Sequence, residues 1–481
     1  MSNLSELLPT GGGQNAVDFV ATGTLSSGQT VALKTDGTVE AVAIQPQSAG
    51  SPVVFENADT NSIVSTYDSS SNKVIVAYRD NGNSGYGTAI VGTVSGTSIS
   101  FGSPVVFESA TSEYLSATYD STNDKTVIIY SDQGNSDYGT AIVGTVSGTS
   151  ISFGSAVVFE SASSTNISAT FDSTNGKVVI AYTDVGNSSY GTAIVGTVSG
   201  TSISFGSAAV FESASSTGMS LTYDTSTQKI VIAYTDGGNS FYGTAIVGTV
   251  SGTSISFGTP VVFGSATVVD SSATYDSTSN KVVIAYRDIS NSSYGTAIVG
   301  TVSGTSISFG SAVVFESAAS NYISATYDTN AEKIVIAYAD GGNSNYGTAI
   351  VGTVSGTSIS FGSSVVFETA LPFFISATYN SANQKIVISY SDNGNSEYGT
   401  SVVYQNEGTN STDFIGITAG AISDTATGAV NVYGGINEAQ TGLTIGADYY
   451  VQVDGSLSTT ASSVKVGQAI SATTINMMDL T

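Results

Sequence analysis

Seven aspartates recur at a fixed interval of 52 residues: Asp80, Asp132, Asp184, Asp236, Asp288, Asp340 and Asp392. Each opens the string Asp-x-Gly-Asn-Ser-x-Tyr-Gly-Thr, with Ser290 replacing the first glycine once. The asparagine is present in every copy: Asn83, Asn135, Asn187, Asn239, Asn291, Asn343 and Asn395. A carboxylate, an amide and an aromatic ring at this spacing could collect a calcium ion or the hydroxyls of a sugar, seven times over. The same residues also build turns, because Asp and Asn bond their own backbone two residues on and tolerate left-handed conformations. The structural turn is the reading adopted, with no cofactor expected and calcium kept as the alternative.

Glutamates repeat too, at Glu108, Glu160, Glu212, Glu316 and Glu368, as do the lysines Lys73, Lys125, Lys177, Lys229, Lys281, Lys333 and Lys385. Catalytic carboxylate pairs need unequal environments to hold different protonation states, which equivalent copies do not supply by themselves. The chain has no His and no Cys. That removes the commonest general base, the commonest metal ligand, thiolate chemistry and disulfides. No catalytic residue and no metal ligand is assigned, and an enzyme is not expected.

Where the copies differ is more informative. The string Val-Ser-Gly-Thr-Ser is identical in six repeats. The connection from the fourth strand to the first is not: it reads Thr111-Ser112-Glu113-Tyr114, Ser163-Ser164-Thr165-Asn166, Ser215-Ser216-Thr217-Gly218, Thr267-Val268-Val269-Asp270, Ala319-Ser320-Asn321-Tyr322 and Leu371-Pro372-Phe373-Phe374. The residue before each repeated tyrosine also varies, from Gly85 through Phe241 to Glu397. In a propeller these two connections emerge on one face and the Ser-Gly-Thr turns on the other. The varied face is the candidate contact surface, with Tyr114, Phe241, Val269, Tyr322, Phe373 and Phe374 as apolar anchors. Neutral drift in loops is the competing account.

The elements that carry these residues are strands. In the second repeat, residues 114–121 (YLSATYDS) alternate apolar and small polar side chains. Lys125–Asp132 (KTVIIYSD) carries a continuous apolar run, as expected of a strand covered on both faces. Tyr138–Ser147 and residues 150–160 follow across a turn at Gly148. Short, turn-rich connections make each strand antiparallel to the next. Four strands per repeat is one propeller blade, and a period in the range of about 40–50 residues fits blades. A β-solenoid is the competing architecture, but its coils are normally shorter, about 18–30 residues. The expected fold is all-β: a seven-bladed propeller over residues 46–407.

The seventh repeat leaves the pattern at Tyr404-Gln405-Asn406-Glu407, so its fourth strand is missing. The missing strand occurs near the start of the chain, where Gly50-Ser51-Pro52-Val53-Val54-Phe55-Glu56 matches Gly102-Ser103-Pro104-Val105-Val106-Phe107-Glu108. An open array would expose two raw strand edges, each a template for aggregation. Closure by residues 51–56 removes both. The flanks, 1–45 and 408–481, read as strands at 17–24, 30–34, 39–44, 414–418, 428–432, 448–453 and 463–470. They are expected to form one small β domain into which the propeller is inserted.

Of 481 residues, 40% are hydrophobic and only 10% charged, with many β-branched and aromatic side chains, which is not the make-up of a disordered chain. A formal net charge of −26 repels phosphate backbones and anionic lipid, so nucleic acid and membrane are not expected partners. The first residues show no basic segment followed by an apolar one, so no secretory signal is expected. No run of about 18 apolar residues is present, so no transmembrane helix is expected.

Two stretches carry a resemblance. Residues 21–42 (ATGTLSSGQTVALKTDGTVEAV), with residues 413–460, resemble small β modules of tailed-phage virion proteins, which marine phages carry on tail fibres and related surface proteins. The blade motif NSxYGTAIVGTVSGTSISFG is similar to repeats of marine phage structural proteins. The resemblance spans essentially the whole chain, on motifs of low complexity. It implies a virion protein assembled in a host cytoplasm: a tail fibre or adsorption appendage, or alternatively a capsid decoration protein. Its terminal β domain would hold other virion proteins, and its propeller would meet a host-surface glycan or protein. Homo-oligomers occur among fibre proteins, although no heptad pattern is visible. A lectin-like propeller is the alternative from another class. The aspartate motif also resembles, loosely, the Asp-box of sialidase-type propellers. It lacks the Trp, takes a longer step to the aromatic and sits on a different hairpin, so no sialidase activity is implied.

Overall fold

Each repeat folds into the same set of strands, and the second one illustrates why. In the computed structural model, which describes residues 15–34 and 36–477, Lys125–Asp132 is buried along nearly its whole length. Its side chains alternate between two apolar layers. Ile128 and Tyr130 pack with Ile75 and Ala77 of the preceding repeat, whereas Val127 and Ile129 pack with Val178 and Ile180 of the following one. A strand with a neighbour on each face needs apolar residues at successive positions rather than alternate ones, here Val127 to Tyr130, and each fully buried Val or Ile contributes about 1.5–3 kcal/mol. Lys125–Asp132 pairs antiparallel with Tyr138–Ser147 on one side and with residues 116–120 on the other. Tyr138–Ser147 then pairs with both Ser150–Phe153 and the first half of Val157–Asp172.

Two sequence expectations are corrected here. Residues 150–160 are not one strand: Ser150–Phe153 ends before Gly154 and pairing resumes at Val157. The break follows from packing, because a Cβ on Gly154 would lie 1.9 Å from the Thr201 carbonyl oxygen of the next repeat. Nor is the fourth-to-first connection a loop. The 16-residue strand Val157–Asp172 runs from the outer edge of one repeat to the inner edge of the next, with a register shift between Thr165 and Ser168. The shift is made by one left-handed residue, Asn166, with φ 48°. Its counterparts Ser62, Tyr114, Gly218, Asp270, Tyr322 and Phe374 are left-handed as well. In the last repeat the long strand is split into Val365–Glu368 and Pro372–Asn380, and Pro372 has no N–H to extend the ladder.

The last repeat borders the first. Tyr398–Gln405 pairs antiparallel with Ser48–Ala49 and with the long strand Val53–Asp68, in the register Thr400 to Val54 and Ser401 to Val53. One apolar layer joins Val387 and Val403 to Phe55, Val74, Val76 and Tyr78. A chain of serine bonds runs along the inner strands: Ser116, Ser168, Ser220, Ser272 and Ser324 each accept, through Oγ, the N–H of Ala169, Leu221, Ala273, Ala325 and Ala377 in the next repeat. It continues from Ser376 to the N–H of Ser65 at 2.9 Å. The step from Val64 lacks a hydroxyl.

Residues 48–406 form one compact unit and the flanks form a second. In the flanking unit, strands from both ends interleave in the order Ala16–Val20, Thr427–Val432, Phe414–Thr418, Thr30–Leu33, Val39–Ala41. Another sheet runs Ile436–Asn437, Ile475–Asn476, Lys465–Ala469, Asp448–Val451, Leu457–Ser458. Ala32, Phe414 and Ile417 of the former share a core with Tyr449, Val451 and Val466 of the latter. Residues 1–14, read above for a leader, and Thr35 lie outside the described residues. No helix among the described residues is long and apolar enough to cross a membrane.

Candidate functional site

The repeated aspartates stand at the start of short turns, which are 3-10 in six repeats and a plain hydrogen-bonded turn after Asp340. Asp80 accepts from the N–H of Asn83 at 3.0 Å, Asp184 from Asn187, Asp288 from Ser290 and Asn291, and Asp236, Asp340 and Asp392 from the glycine two residues on. Ser84 and its counterparts, including Ser136, Ser188 and Ser240, then turn left-handed. For Asp132 no side-chain cap bond is formed. Among the described residues no group of three or more acidic side chains is placed to hold a metal ion. A second set of aspartates, which sequence reasoning passed over, works on the opposite turns: Asp68, Asp120, Asp172, Asp224, Asp276 and Asp328 are buried and accept from backbone N–H groups two and three residues on.

The repeated glutamates accept from buried tyrosines: Tyr78 to Glu56 at 3.0 Å, Tyr130 to Glu108, Tyr182 to Glu160, Tyr234 to Glu212, Tyr338 to Glu316 and Tyr390 to Glu368. Gly264 leaves Tyr286 without this acceptor. Burial raises the pKa of Glu56, Glu108, Glu212, Glu316 and Glu368 above the ordinary carboxylate range, and the neighbouring Asp of the turn raises it further. Burial raises Asp80, Asp132 and Asp392 as well. Lys73 and Lys177 donate to Thr93 and Thr197 rather than to these carboxylates.

These shifts have a sign. A carboxyl whose folded pKa is raised holds its proton more tightly folded than unfolded, so its contribution is present in acid and is lost as pH rises through the folded pKa. The window lies just above the usual Asp and Glu values. Relief of self-repulsion in so acidic a chain acts in the same direction. The exposed Asp36 and Asp454 are shifted down, but in the flanking unit. The unfolding temperature of the repeat unit is therefore expected to rise as pH falls from neutral toward the usual Asp and Glu range. Calorimetry showing a steady fall over that interval would contradict the assignment.

The varied residues do gather, though not all of them. The left-handed position of the long strand recurs in every repeat, and Ser62, Tyr114, Asp270, Tyr322 and Phe374, which occupy it in five of them, line a cavity of about 510 Å³. Tyr114, Tyr322 and Phe374 line it, together with Arg79, Glu113 and Asp270. Tyr322 stands 5.9 Å from Phe374 between ring centres, and Phe373 props Tyr322 edge-on at 5.6 Å. Val269, half-buried, pairs with Arg287 beside Asp270. Phe241 lies outside the cavity, 52% exposed at the tip of a 3-10 turn, its carbonyl accepting from Val268. A left-handed non-glycine residue costs about 1–2 kcal/mol, and such strain persists only where the surroundings impose it. Here the crossing of the strand imposes it and turns these side chains to the cavity.

Sequence reasoning missed the charged half of the site. Arg79 and Arg287 are the only arginines in the chain and stand four repeats apart at one repeat position. Arg79 pairs with Glu113 of the next repeat. Arg287 pairs with Asp270 at 3.3 Å and donates to Asn321 of the next repeat. The signal was available, in two arginines of equal phase where other copies have Ser, Thr or Ala.

The sequence matches no protein-family model and no curated protein. Among solved structures, the chain is similar to the BP39L lectin from Burkholderia pseudomallei, with a TM-score of 0.56 at 8% identity, over 74% of this chain and 98% of that one. It is also similar to a leech intramolecular trans-sialidase, at a TM-score of 0.45 and 8% identity, over 74% of this chain and 70% of that one. The second likeness is too low to carry an argument. The first shows the fold: residues arranged as a β-propeller of repeated four-stranded units.

Proposed function

We propose that residues 48–406 form a seven-bladed β-propeller that binds carbohydrate at one mouth of the ring. The observation that carries this reading is the cavity itself. Six of the seven positions 62, 114, 166, 218, 270, 322 and 374 carry a side chain, and these differ in kind, while the Ser-Gly-Thr turns stay identical. Aromatic rings beside paired polar groups suit a sugar, whose C–H face packs on a ring while its hydroxyls bond at the edge. The lectin character of the solved neighbour supports the reading. Recognition, not turnover, is the proposed activity, because the recurring carboxylates serve tyrosines and turns, and the two at the cavity, Glu113 and Asp270, are paired with arginines.

The flanking unit, in this proposal, attaches the propeller to whatever displays it. The resemblance of residues 21–42 and 413–460 to phage virion modules favours a virion surface, as a tail fibre or adsorption protein first and a capsid decoration protein second. The test is a glycan microarray probed with the full chain and with Tyr322→Ser/Phe374→Ser. Signal on a defined set of glycans, lost in the variant, is the expected result. A blank array for the full chain would contradict carbohydrate binding.

A further inference from the structure

We infer that the ring holds a single ligand, off its axis, and that this ligand is an uncharged saccharide; the inference rests on the carbohydrate reading above. Seven equivalent repeats suggest seven equivalent sites, and the geometry argues otherwise. The cavity is lined by residues of the first, second, fifth, sixth and seventh repeats. The third and fourth repeats bring Asn166 and Gly218 to the same position and do not contribute to its wall. Rings stand on the side of the sixth and seventh repeats, through Tyr322 and Phe374, with Tyr114 on the second. No other repeat offers an aromatic residue at this position. A ligand that stacks on Tyr322 and Phe374 therefore has one place to sit.

The charge balance selects the ligand class. Arg79 is neutralised by Glu113 and Arg287 by Asp270, so the charged groups at the mouth cancel. Neither guanidinium is left as a lone cation for a carboxylate or sulfate, and the chain's net charge of −26 opposes the approach of any anion. Neither carboxylate is left alone for a cation. What remains is the Arg79–Glu113 pair and the Asp270 carboxylate backed by Arg287, donors and acceptors beside Tyr114, Tyr322 and Phe374, which matches hydroxyl groups on an apolar ring face.

The experiment is isothermal titration of the full chain with methyl glycosides of glucose, galactose and mannose, with N-acetylneuraminic and glucuronic acids, and with tetramethylammonium, each in low and high salt. The expected result is a neutral glycoside binding at one per chain, with an affinity that salt leaves unchanged. Tyr322→Ala and Phe374→Ala should each weaken it about tenfold, while Phe241→Ala, an exposed aromatic outside the cavity, should not. Saturation near seven per chain, preference for the acids with affinity rising in salt, or preference for the ammonium ion with affinity falling in salt would each overturn the inference. A multivalent or acid-selective result would leave carbohydrate binding standing. No binding by any saccharide, with a blank array, would remove both.

Discussion

Phe55→Ala lowers the stability of the repeat unit by about 3–5 kcal/mol, as much as Phe107→Ala does. The two residues are one repeat apart and have the same surroundings. Phe107 stands 5.2 Å from Tyr130 and 5.7 Å from Phe153; Phe55 stands 5.2 Å from Tyr78 and 5.5 Å from Phe101. Each ring covers a glycine: a Cβ on Gly87 would lie 2.4 Å from Phe107, and one on Gly399 would lie 2.4 Å from Phe55. The difference is in the chain. Gly87 precedes Phe107 by 20 residues, within one repeat length, whereas Gly399 lies at the far end of the array from Phe55. If residues 48–56 were a loose leader, truncating Phe55 would cost no more than about 0.5 kcal/mol. Urea unfolding at constant slope measures both variants on one scale. Equal losses are expected, and a near-silent Phe55→Ala would mean the ring is not closed by this strand.

Gly206→Ala is expected to cost about 3 kcal/mol, at the upper end of overpacking. A Cβ there would lie 1.9 Å from the Thr253 carbonyl oxygen of the next repeat. Because the obstacle is backbone, no side-chain rotation relieves it, and the two repeats must move apart. The same close approach recurs at Gly50, Gly102, Gly154, Gly258 and Gly310, so the repeats stack through this glycine. Gly200 provides the contrast. Its φ is +61° and a Cβ would meet nothing within 4 Å, so Gly200→Ala carries only the left-handed penalty of about 1–2 kcal/mol, and Gly200→Asn less. A smaller loss for Gly206→Ala than for Gly200→Ala, read from denaturation midpoints, would contradict the packing role.

The repeat, its strands and the strand that completes the last repeat were readable because each has a strong periodic cause. The middle of Lys125–Asp132, Val127 to Tyr130, had to be apolar at successive positions once the strand had a neighbour on each face, and the match of 50–56 to 102–108 needed no structure to see. The crossing of the long strand was not readable. Thr111-Ser112-Glu113-Tyr114 looks like a loop, and a single left-handed residue in mid-strand leaves little trace when Tyr or Phe occupies it. Asn166, Gly218 and Asp270 were the hint, as residue types that tolerate that conformation. The site was half legible. Its rings stood out as differences among copies, and Phe241 stood out equally although its turn carries it outside the cavity. The pairing of Arg79 with Glu113, and of Arg287 with Asp270, depends on which repeats adjoin, and no local pattern encodes it.

Closure of the ring is the claim on which the rest depends, and a pair of engineered cysteines tests it most directly. Val53 faces Ser401 in the antiparallel register, and Val105 faces Ala89 in the same way one repeat on. Facing residues of antiparallel strands have Cα atoms about 4.5–5.5 Å apart, within the range a disulfide spans. The chain has no cysteine of its own, so any bridge is the engineered one. Mild oxidation of Val53→Cys/Ser401→Cys should give an intramolecular disulfide, read by intact mass and gel mobility, as completely as for the control Val105→Cys/Ala89→Cys. Free thiols or cross-linked dimers in the first variant, with the control bridged, would contradict a ring closed by the strand near the start of the chain.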